Sequence, residues 1–559
     1  MRILTKSGGG AVLLCAMLAT GIAPVLAHDN DHDHGNDGPV VNTAEGPVRG
    51  FKKDGVYTFL GIPYAAPPVG NLRWRPPAPV KKWRDALDAT KMGSSCPQVT
   101  TLGPFAGPTS VTEDCLFLNV YTTGKNGPKK PVVVWIHGGG NIDGEAAAYD
   151  GAKLATGGPN GTETVTVILN YRLGLFGFLS HPALNAEGHL WGNYGILDIQ
   201  AVLKWVQRNA ANFGGDPNRV LLGGQSAGAS DTGANVISPL AAGLFNRALF
   251  QSSPTSAYPT AATALTRGTT FAYNTTTPQQ SANYPGTGAS AATCLRNLSA
   301  ERILQLQGTP NSNGAYITGP FVDGTIIPIT PEQAWTTGNY NKMPTMGGAT
   351  RDEGNFGISI TEYFSGPPQV PMTLQQYNDR INTQYGANAA AVLAQYPPGS
   401  DPQFTFNRVA TDPGKCRGLH VLGLWSTKIP TYAYDFTYRD APYYFPWMPG
   451  FKALAYHTVD IQFIFPKWRG GHLGVNLDQN TGQPRELQGG ERTLSDRLVA
   501  AWTKFAATGN PNGSSNSPWP KYTSPTASIL NQNLAFTTDS TATYRSNYKC
   551  DFWDPLQTY

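Results

Sequence analysis

Short apolar runs that lead directly into glycine-rich segments are the clearest structural pattern in this chain. Residues 131–136 (Pro-Val-Val-Val-Trp-Ile) and 219–222 (Arg-Val-Leu-Leu) predict strands, because continuous apolar runs of this length fit strands that are buried on both faces. Residues 227–237 are small and compatible with a helix, and a Gly-Gly-Gln-Ser-Ala-Gly turn precedes them. The second apolar run therefore predicts a strand, a tight turn and a helix in succession.

The turn at residues 223–228 contains the pattern G-x-S-x-G, with Ser226 at its centre. Glycine on both sides allows a sharp change from strand to helix, which would present the Ser226 hydroxyl at the helix N-terminus. Backbone N–H groups at that position point toward a developing negative charge. The pattern is short and is also typical of an incidental glycine-rich loop, so the partners of a nucleophilic serine have to be found elsewhere in the chain.

The first apolar run leads into His137 and three consecutive glycines, residues 138–140. Three glycines let the backbone approach a ligand closely and direct its N–H groups into a cavity. We predict that the N–H groups of Gly139, Gly140 and Ala227 form an oxyanion hole. His137 is predicted to be structural, because it precedes the serine and belongs to the loop motif.

Further segments resemble, in order along the chain, the signatures of the type-B carboxylesterase family, the esterase and lipase group that includes the cholinesterases. They are residues 59–74, 113–121, 170–178, 192–198, 212–217 and 502–512. The resemblance implies an α/β fold of the α/β-hydrolase type, with a central, mostly parallel sheet flanked by helices and with long loop and helix insertions. It also implies a serine carboxylesterase that acts on small-molecule esters through an acyl-enzyme.

The same resemblance implies the remaining members of a catalytic triad. Residues 349–354 are similar to the segment that carries the family's acidic residue, which corresponds to Glu353. Asp352 is the competing choice, ranked lower because the motif places the acid directly before the glycine. Residues 455–465 are similar to the segment with the catalytic histidine, which corresponds to His457. The chain order Ser226, Glu353, His457 is the order expected of this fold.

Three other functions remain open on the sequence alone. A lipase would prefer long acyl chains, an amidase would use the same triad, and a non-catalytic relative would be a binding protein. The chain contains no Walker-type phosphate loop, no dinucleotide fingerprint and no paired Cys-x-x-Cys, so we expect no cofactor and no metal. The formal charge of +4 over 559 residues, without a basic stripe, gives no reason to expect nucleic-acid binding.

The N-terminus predicts export. Residues 1–27 resemble a secretory signal peptide: Arg2 and Lys6 precede an apolar stretch, and Val25-Leu26-Ala27 fits a cleavage site. The stretch is too short for the roughly 20 residues of a membrane span, so no stable membrane insertion is expected. Residues 28–38 are rich in His and Asp and predict a disordered tail, and residues 39–559 predict a single domain. The protein is therefore expected to be secreted or periplasmic; its oligomeric state is left open.

Export makes disulfides plausible, and the resemblance implies two of them. Cys96 and Cys115 correspond to the family's first bridge, and Cys416 and Cys550 correspond to its long-range bridge. Cys294 corresponds to one half of a further bridge, but residues 254–293 contain no cysteine. We therefore expect Cys294 to be a buried free thiol.

Substrate specificity is the least determined property. Cholinesterases carry a tryptophan in the first disulfide loop and a glutamate before the nucleophile; this chain lacks the tryptophan and has Gln225 in place of the glutamate. Both lost features attract quaternary ammonium groups, so choline esters are not expected as substrates. Asn141 predicts a polar pocket rim. An aromatic run could line the pocket entrance or pack internally: Tyr443, Tyr444, Phe445 and Trp447.

Overall fold

The computed structural model describes residues 38–557, except 100–101, 253–256, 275–285, 287, 308–317, 366–370, 514–517 and 525–526. The predicted signal peptide and all but the last residue of the predicted tail lie outside the described residues. The chain from Pro39 to Tyr559 forms one compact unit.

The strands that the apolar runs predict are present within a longer series. They are β1 (Val40–Asn42), β2 (Pro47–Arg49), β3 (Phe51–Lys53), β4 (Val56–Pro63), β5 (Leu87–Asp88), β6 (Phe117–Thr122), β7 (Lys130–Ile136), β8 (Val165–Leu169), β9 (Gly215–Gln225), β10 (Arg247–Gln251), β11 (Thr345–Thr350), β12 (Thr431–Phe436), β13 (Ser528–Gln532) and β14 (Thr537–Ser540).

The helices lie mostly between these strands. They are α1 (Ala152–Thr156), α2 (Gly174–Phe178), α3 (Pro182–Asn185), α4 (Tyr194–Asn209), α5 (Ala227–Ile237), α6 (Ala261–Asn274), α7 (Ala289–Arg296), α8 (Ala300–Gln307), α9 (Pro331–Thr337), α10 (Gly354–Phe364), α11 (Leu374–Tyr385), α12 (Ala389–Gln395), α13 (Pro402–Ser426), α14 (Ile461–Ile464), α15 (Gly490–Thr508), α16 (Thr541–Asn547) and α17 (Cys550–Trp553). Single 3₁₀ turns lie at Gly70–Leu72, Gly103–Phe105, Ala146–Ala148, Ala210–Phe213, Pro239–Ala241, Gly386–Asn388 and Asp554–Leu556.

One large sheet carries the architecture, in the order β14-β13-β12-β11-β10-β9-β7-β8-β6-β4-β3. The strands from β13 through β8 in that order are all parallel, whereas β14 at one edge and β6, β4 and β3 at the other are antiparallel to their neighbours. A small separate sheet has the order β1-β2-β5. The predicted α/β-hydrolase fold, with its mostly parallel sheet, is confirmed.

The centre of the sheet is buried because its strands are apolar on both faces. Every residue of β7 and β8 is buried. Helix α15 packs against β7 and β9, and helix α5 packs against β9 and β10. Parallel strands covered by helices in this way place their carboxyl ends along one edge, where ligand sites form in such folds.

Two disulfides join the cysteines that the resemblance paired, Cys96 with Cys115 and Cys416 with Cys550. The expectation that Cys294 is buried is wrong, since its side chain is exposed. Helix α7 turns Ala291, Ala292 and Leu295 into the core, which leaves Cys294 on the outward face. Across the described ranges, no helix is both long and apolar enough to cross a membrane.

Candidate active site

Ser226 lies between the carboxyl end of β9 and the first turn of α5. Its backbone has φ 56° and ψ −121°, a strained conformation for a residue with a side chain. The Ser226 N–H donates to the Gln251 carbonyl oxygen at 2.8 Å, at the end of the neighbouring strand β10. The turn is therefore held in place by the sheet itself.

The two glycines of the elbow are required by the close approach of β7. A Cβ atom on Gly228 would lie 2.2 Å from the Ile136 carbonyl oxygen, and one on Gly224 would lie 2.6 Å from the same atom. Both distances are far inside van der Waals contact, so no larger residue fits without displacing the strand. This contact brings the elbow beside the glycine triplet that follows β7.

The glycine triplet curves around the Ser226 side of a cavity. Gly139 and Gly140 have φ values of 110° and 62°, and both line the cavity with Ser226. Ala227 is the first residue of α5, where the backbone N–H groups have no acceptor within the helix. The three predicted donors of the oxyanion hole are thus brought to one end of the sheet, around the serine.

His137 packs inside the molecule and takes no part in lining this cavity. Its Nδ1 lies 2.8 Å from the Gly138 carbonyl oxygen, and its ring stacks on Tyr171 with centroids 4.6 Å apart. Burial lowers the pKa of His137 to about 4, so the ring is neutral near pH 7. This environment is that of a structural histidine.

Glu353 and His457 meet beyond the carboxyl end of β11. Oε2 of Glu353 forms a short hydrogen bond with Nδ1 of His457. The other carboxylate oxygen accepts hydrogen bonds from the Ser252 hydroxyl at 2.6 Å and from the Thr350 N–H at 2.7 Å. Sequence reasoning missed Ser252, although its position directly after β10 would have placed a hydroxyl at the same edge of the sheet.

The attraction between Glu353 and His457 shifts the pKa values of both groups. Burial opposes ionisation of Glu353, but attraction to His457 and the hydrogen bonds from His457 and Ser252 lower its pKa to about 2. Burial likewise disfavours the charged imidazole, yet the nearby charge of Glu353, its hydrogen bond and the charge of Asp460 together raise the pKa of His457. Glu353 is therefore ionised at neutral pH and favours a proton on Nδ1 of the ring.

The second nitrogen of His457 faces the elbow. Nε2 lies 3.3 Å from the side-chain nitrogen of Gln225, and His457, Gln225 and Ser226 line the same cavity. With Nδ1 facing Glu353, Nε2 is the nitrogen that remains available to accept a proton. Ser226 and His457 thus line one cavity, and Glu353 contacts the Nδ1 side of His457 without lining that cavity.

Asp352, the alternative acid, is directed elsewhere. Its carboxylate accepts two hydrogen bonds from Arg439, both at 2.8 Å, one from Asn407 at 3.1 Å and one from the Ala455 N–H at 3.2 Å. It is almost fully buried. These contacts join β11 to the segment before His457, which is a structural role.

The cavity beside Ser226 has a volume of about 400 Å³, and its wall includes the aromatic rings of Phe105, Tyr149, Phe356, Tyr444 and Trp468. Of the pocket residues named from the sequence, Gln225 and Tyr444 line it. Four others do not, and they are Asn141, Tyr443, Phe445 and Trp447. The two placements of Tyr443 and Tyr444 differ because successive side chains of an extended segment point in opposite directions, and Tyr443 pairs with Leu477.

The side chain of Asn141 is buried behind the cavity, so it does not supply the polar rim that was expected. Its amide nitrogen donates to Asp231 at 3.1 Å, and its oxygen accepts from the Tyr171 hydroxyl at 2.9 Å. Phe445 is fully buried against Phe105, with centroids 5.1 Å apart. Trp447 is 44% exposed.

No group of three or more His, Cys, Asp or Glu side chains among the described residues is arranged to hold a metal ion. Besides Ser226 and His457, the cavity lining includes three acidic or basic side chains: Asp143, Glu145 and Arg469. Sequence reasoning did not select any of them, because none belongs to a motif.

Comparison with known proteins gives consistent results. The model of the carboxylesterase family matches residues 37–553. The chain is 34% identical to a fumonisin B1 esterase from Sphingopyxis macrogoltabida, covering 93% of this chain and 90% of that protein. It is 31% identical to liver carboxylesterase 1 from Oryctolagus cuniculus, covering 91% and 92%. The structure of a thermophilic PNB esterase superposes with a TM-score of 0.73 at 29% identity, covering 91% of this chain and 99% of that one.

Proposed function

This chain belongs to the carboxylesterase family and is a carboxylic-ester hydrolase, and on that basis we propose that it acts through an acyl-enzyme on Ser226, with His457 and Glu353 completing the triad. The observation that carries the proposal is the hydrogen bond between Glu353 and Nδ1 of His457. The same histidine lines the cavity that contains Ser226.

In the first half of the reaction, Ser226 Oγ attacks the ester carbonyl carbon while Nε2 of His457 takes the hydroxyl proton. Glu353 keeps the imidazole in the Nδ1–H tautomer and stabilises the imidazolium that forms. The carbonyl electrons move onto oxygen, which the N–H groups of Gly139, Gly140 and Ala227 stabilise. The C–O bond then breaks, and His457 gives its proton to the leaving alcohol.

In the second half, water replaces the serine hydroxyl as the nucleophile. The water oxygen attacks the acyl carbon while His457 takes a proton from the water. His457 then returns a proton to Ser226 Oγ as the acid departs. Loss of one oxyanion donor typically lowers turnover by about 100- to 1000-fold.

The substrates are medium-sized carboxylic esters. A cavity of about 400 Å³ falls within the ordinary range for small-molecule sites, which is about 300–1,000 Å³. The names of relatives, which include a fumonisin B1 esterase and a cocaine esterase, describe chemically unlike esters and support a broad specificity. The two disulfides support folding in an oxidising compartment, consistent with export directed by residues 1–27.

The decisive experiment is hydrolysis of a p-nitrophenyl ester series, from acetate to palmitate, by the wild type and by Ser226→Ala. We expect cleavage of short and medium esters and a loss of several orders of magnitude in the variant. Ser230→Ala is a matched control, because Ser230 lies one turn further along α5 and does not line the cavity. Activity that survives in Ser226→Ala would overturn the triad assignment, and a preference for palmitate would indicate a lipase.

A further inference from the structure

The carboxyl group of Asp143 lies in the active-site cavity without a hydrogen-bond partner among the described residues. The residue is only 5% exposed and contributes to the cavity lining, and Oδ1 lies close to the position that a Cβ atom on Gly139 would occupy. No described residue donates a hydrogen bond to its carboxyl group, and burial alone raises the pKa of Asp143 to about 7. Burying a carboxyl group without a hydrogen-bond donor costs free energy. A ligand that supplies the donor would therefore gain binding free energy at Asp143.

Aromatic rings form the adjoining wall. Trp468 lies between Tyr444 and Tyr149, with ring centroids 4.8 Å and 6.1 Å away respectively, and all three side chains line the cavity. Asp143 lines the same cavity as these rings, and the pKa of both tyrosines is raised by burial and further by the charge of Asp143. Aromatic faces beside a carboxylate attract a cation.

The other two acidic or basic side chains named in the cavity lining, Glu145 and Arg469, already have partners. Glu145 accepts a short hydrogen bond from Ser95. Arg469 forms an ion pair with Glu486 at 2.6 Å, so its positive charge is already compensated. Asp143 is the one of these groups that lacks a partner among the described residues.

We propose that this cavity binds esters that carry a protonated amine, whose N–H group donates to the Asp143 carboxylate beside Tyr149, Tyr444 and Trp468. The inference rests on the proposed esterase function and names a substrate class for the same site. Asp143 binds the substrate and takes no part in proton transfer. A quaternary ammonium has no N–H to donate and therefore loses the hydrogen bond, which agrees with the expectation that choline esters are poor substrates.

The test compares matched esters in the wild type and in Asp143→Asn. On the alcohol side the set is 2-(dimethylamino)ethyl butanoate, its neutral isostere 3-methylbutyl butanoate and the quaternary choline butanoate. On the acyl side it is ethyl 4-(dimethylamino)butanoate and its neutral isostere ethyl 5-methylhexanoate. At about pH 7.5 the amines are protonated and Asp143 is largely ionised once a cation is bound.

We expect Asp143→Asn to lower kcat/KM for a tertiary-amine ester of at least one set by about 10- to 100-fold, the effect of a charge-assisted hydrogen bond. The neutral esters should change by less than about threefold, and choline butanoate by less than its tertiary analogue. Glu163→Gln, which removes an exposed carboxylate outside the cavity, should leave every ratio unchanged.

A second readout remains informative if the variant is poorly folded. Trimethylammonium, which has an N–H group, should inhibit wild-type hydrolysis of 3-methylbutyl butanoate competitively and more strongly than tetramethylammonium does. Equal inhibition by the two ions, or equal losses on neutral and amine esters, would overturn the inference while leaving the esterase function intact. Failure of the wild type to hydrolyse any neutral ester would instead overturn the proposed function.

Discussion

Asp352 and Glu353 are neighbours in the chain, but Glu353 is predicted to be catalytic and Asp352 to be structural. Substituting each in turn tests this assignment. The isosteric variants Glu353→Gln and Asp352→Asn each remove one charge from nearly the same place. The structure predicts opposite consequences for activity and stability.

Glu353→Gln should remove activity with little loss of stability. The amide oxygen can still accept the hydrogen bonds that Ser252 and Thr350 donate at 2.6 and 2.7 Å. The amide cannot stabilise the imidazolium, and it no longer selects the Nδ1–H tautomer of His457. Losing the orienting carboxylate in a serine triad lowers kcat by about 10⁴-fold, whereas we expect the free energy of unfolding to fall by no more than about 1–2 kcal/mol.

Asp352→Asn should show the reverse. Arg439 donates to both oxygens of Asp352, and Asn407 and the Ala455 N–H add two more hydrogen bonds. An amide accepts at only one atom, so part of this network is left unpaired at a cost of about 1–3 kcal/mol. The catalytic pair keeps its charge, and we expect kcat within about tenfold of wild type.

The measurements are kcat for p-nitrophenyl butanoate and urea-induced unfolding of both variants. A folded Asp352→Asn variant that loses about 1000-fold or more in kcat would contradict the assignment. So would a Glu353→Gln variant that retains more than about a tenth of wild-type turnover.

Two further predictions follow from the same geometry. His457 must be neutral to accept the serine proton, and its pKa is raised, so kcat/KM should fall as the pH drops through a midpoint above about 6.5. Glu353, with its pKa of about 2, stays ionised in this range. A midpoint of kcat/KM below pH 6 would contradict this account. Gly357 lies exposed within α10, with nothing within 4 Å of a built Cβ, so Gly357→Ala should stabilise the protein by about 0.5–1 kcal/mol in urea unfolding. Gly228→Ala, whose Cβ would meet Ile136, should instead destabilise it, and equal effects would refute the steric argument.

The sequence by itself was sufficient for the local parts of the site. The elbow at Ser226 and the triplet before Asn141 could be predicted because glycine, tight turns and apolar runs act over a few residues. The fold class and the residues Glu353 and His457 came from the family resemblance, since no local property separates His457 from other histidines. The structure places Ser226 and His457 along one cavity and Glu353 against Nδ1 of His457, and their catalytic roles remain a proposal.

Only the tertiary structure decided where individual side chains point. Asn141 follows the glycine triplet, yet it is turned inward by Asp231 and Tyr171, which lie far from it in the chain. Ser252 and Asp143 reach the site because parallel strands and their following loops end at one edge of the sheet. Burial, hydrogen-bond partners and cavity walls depend on contacts between distant segments, and no local pattern of residues encodes them.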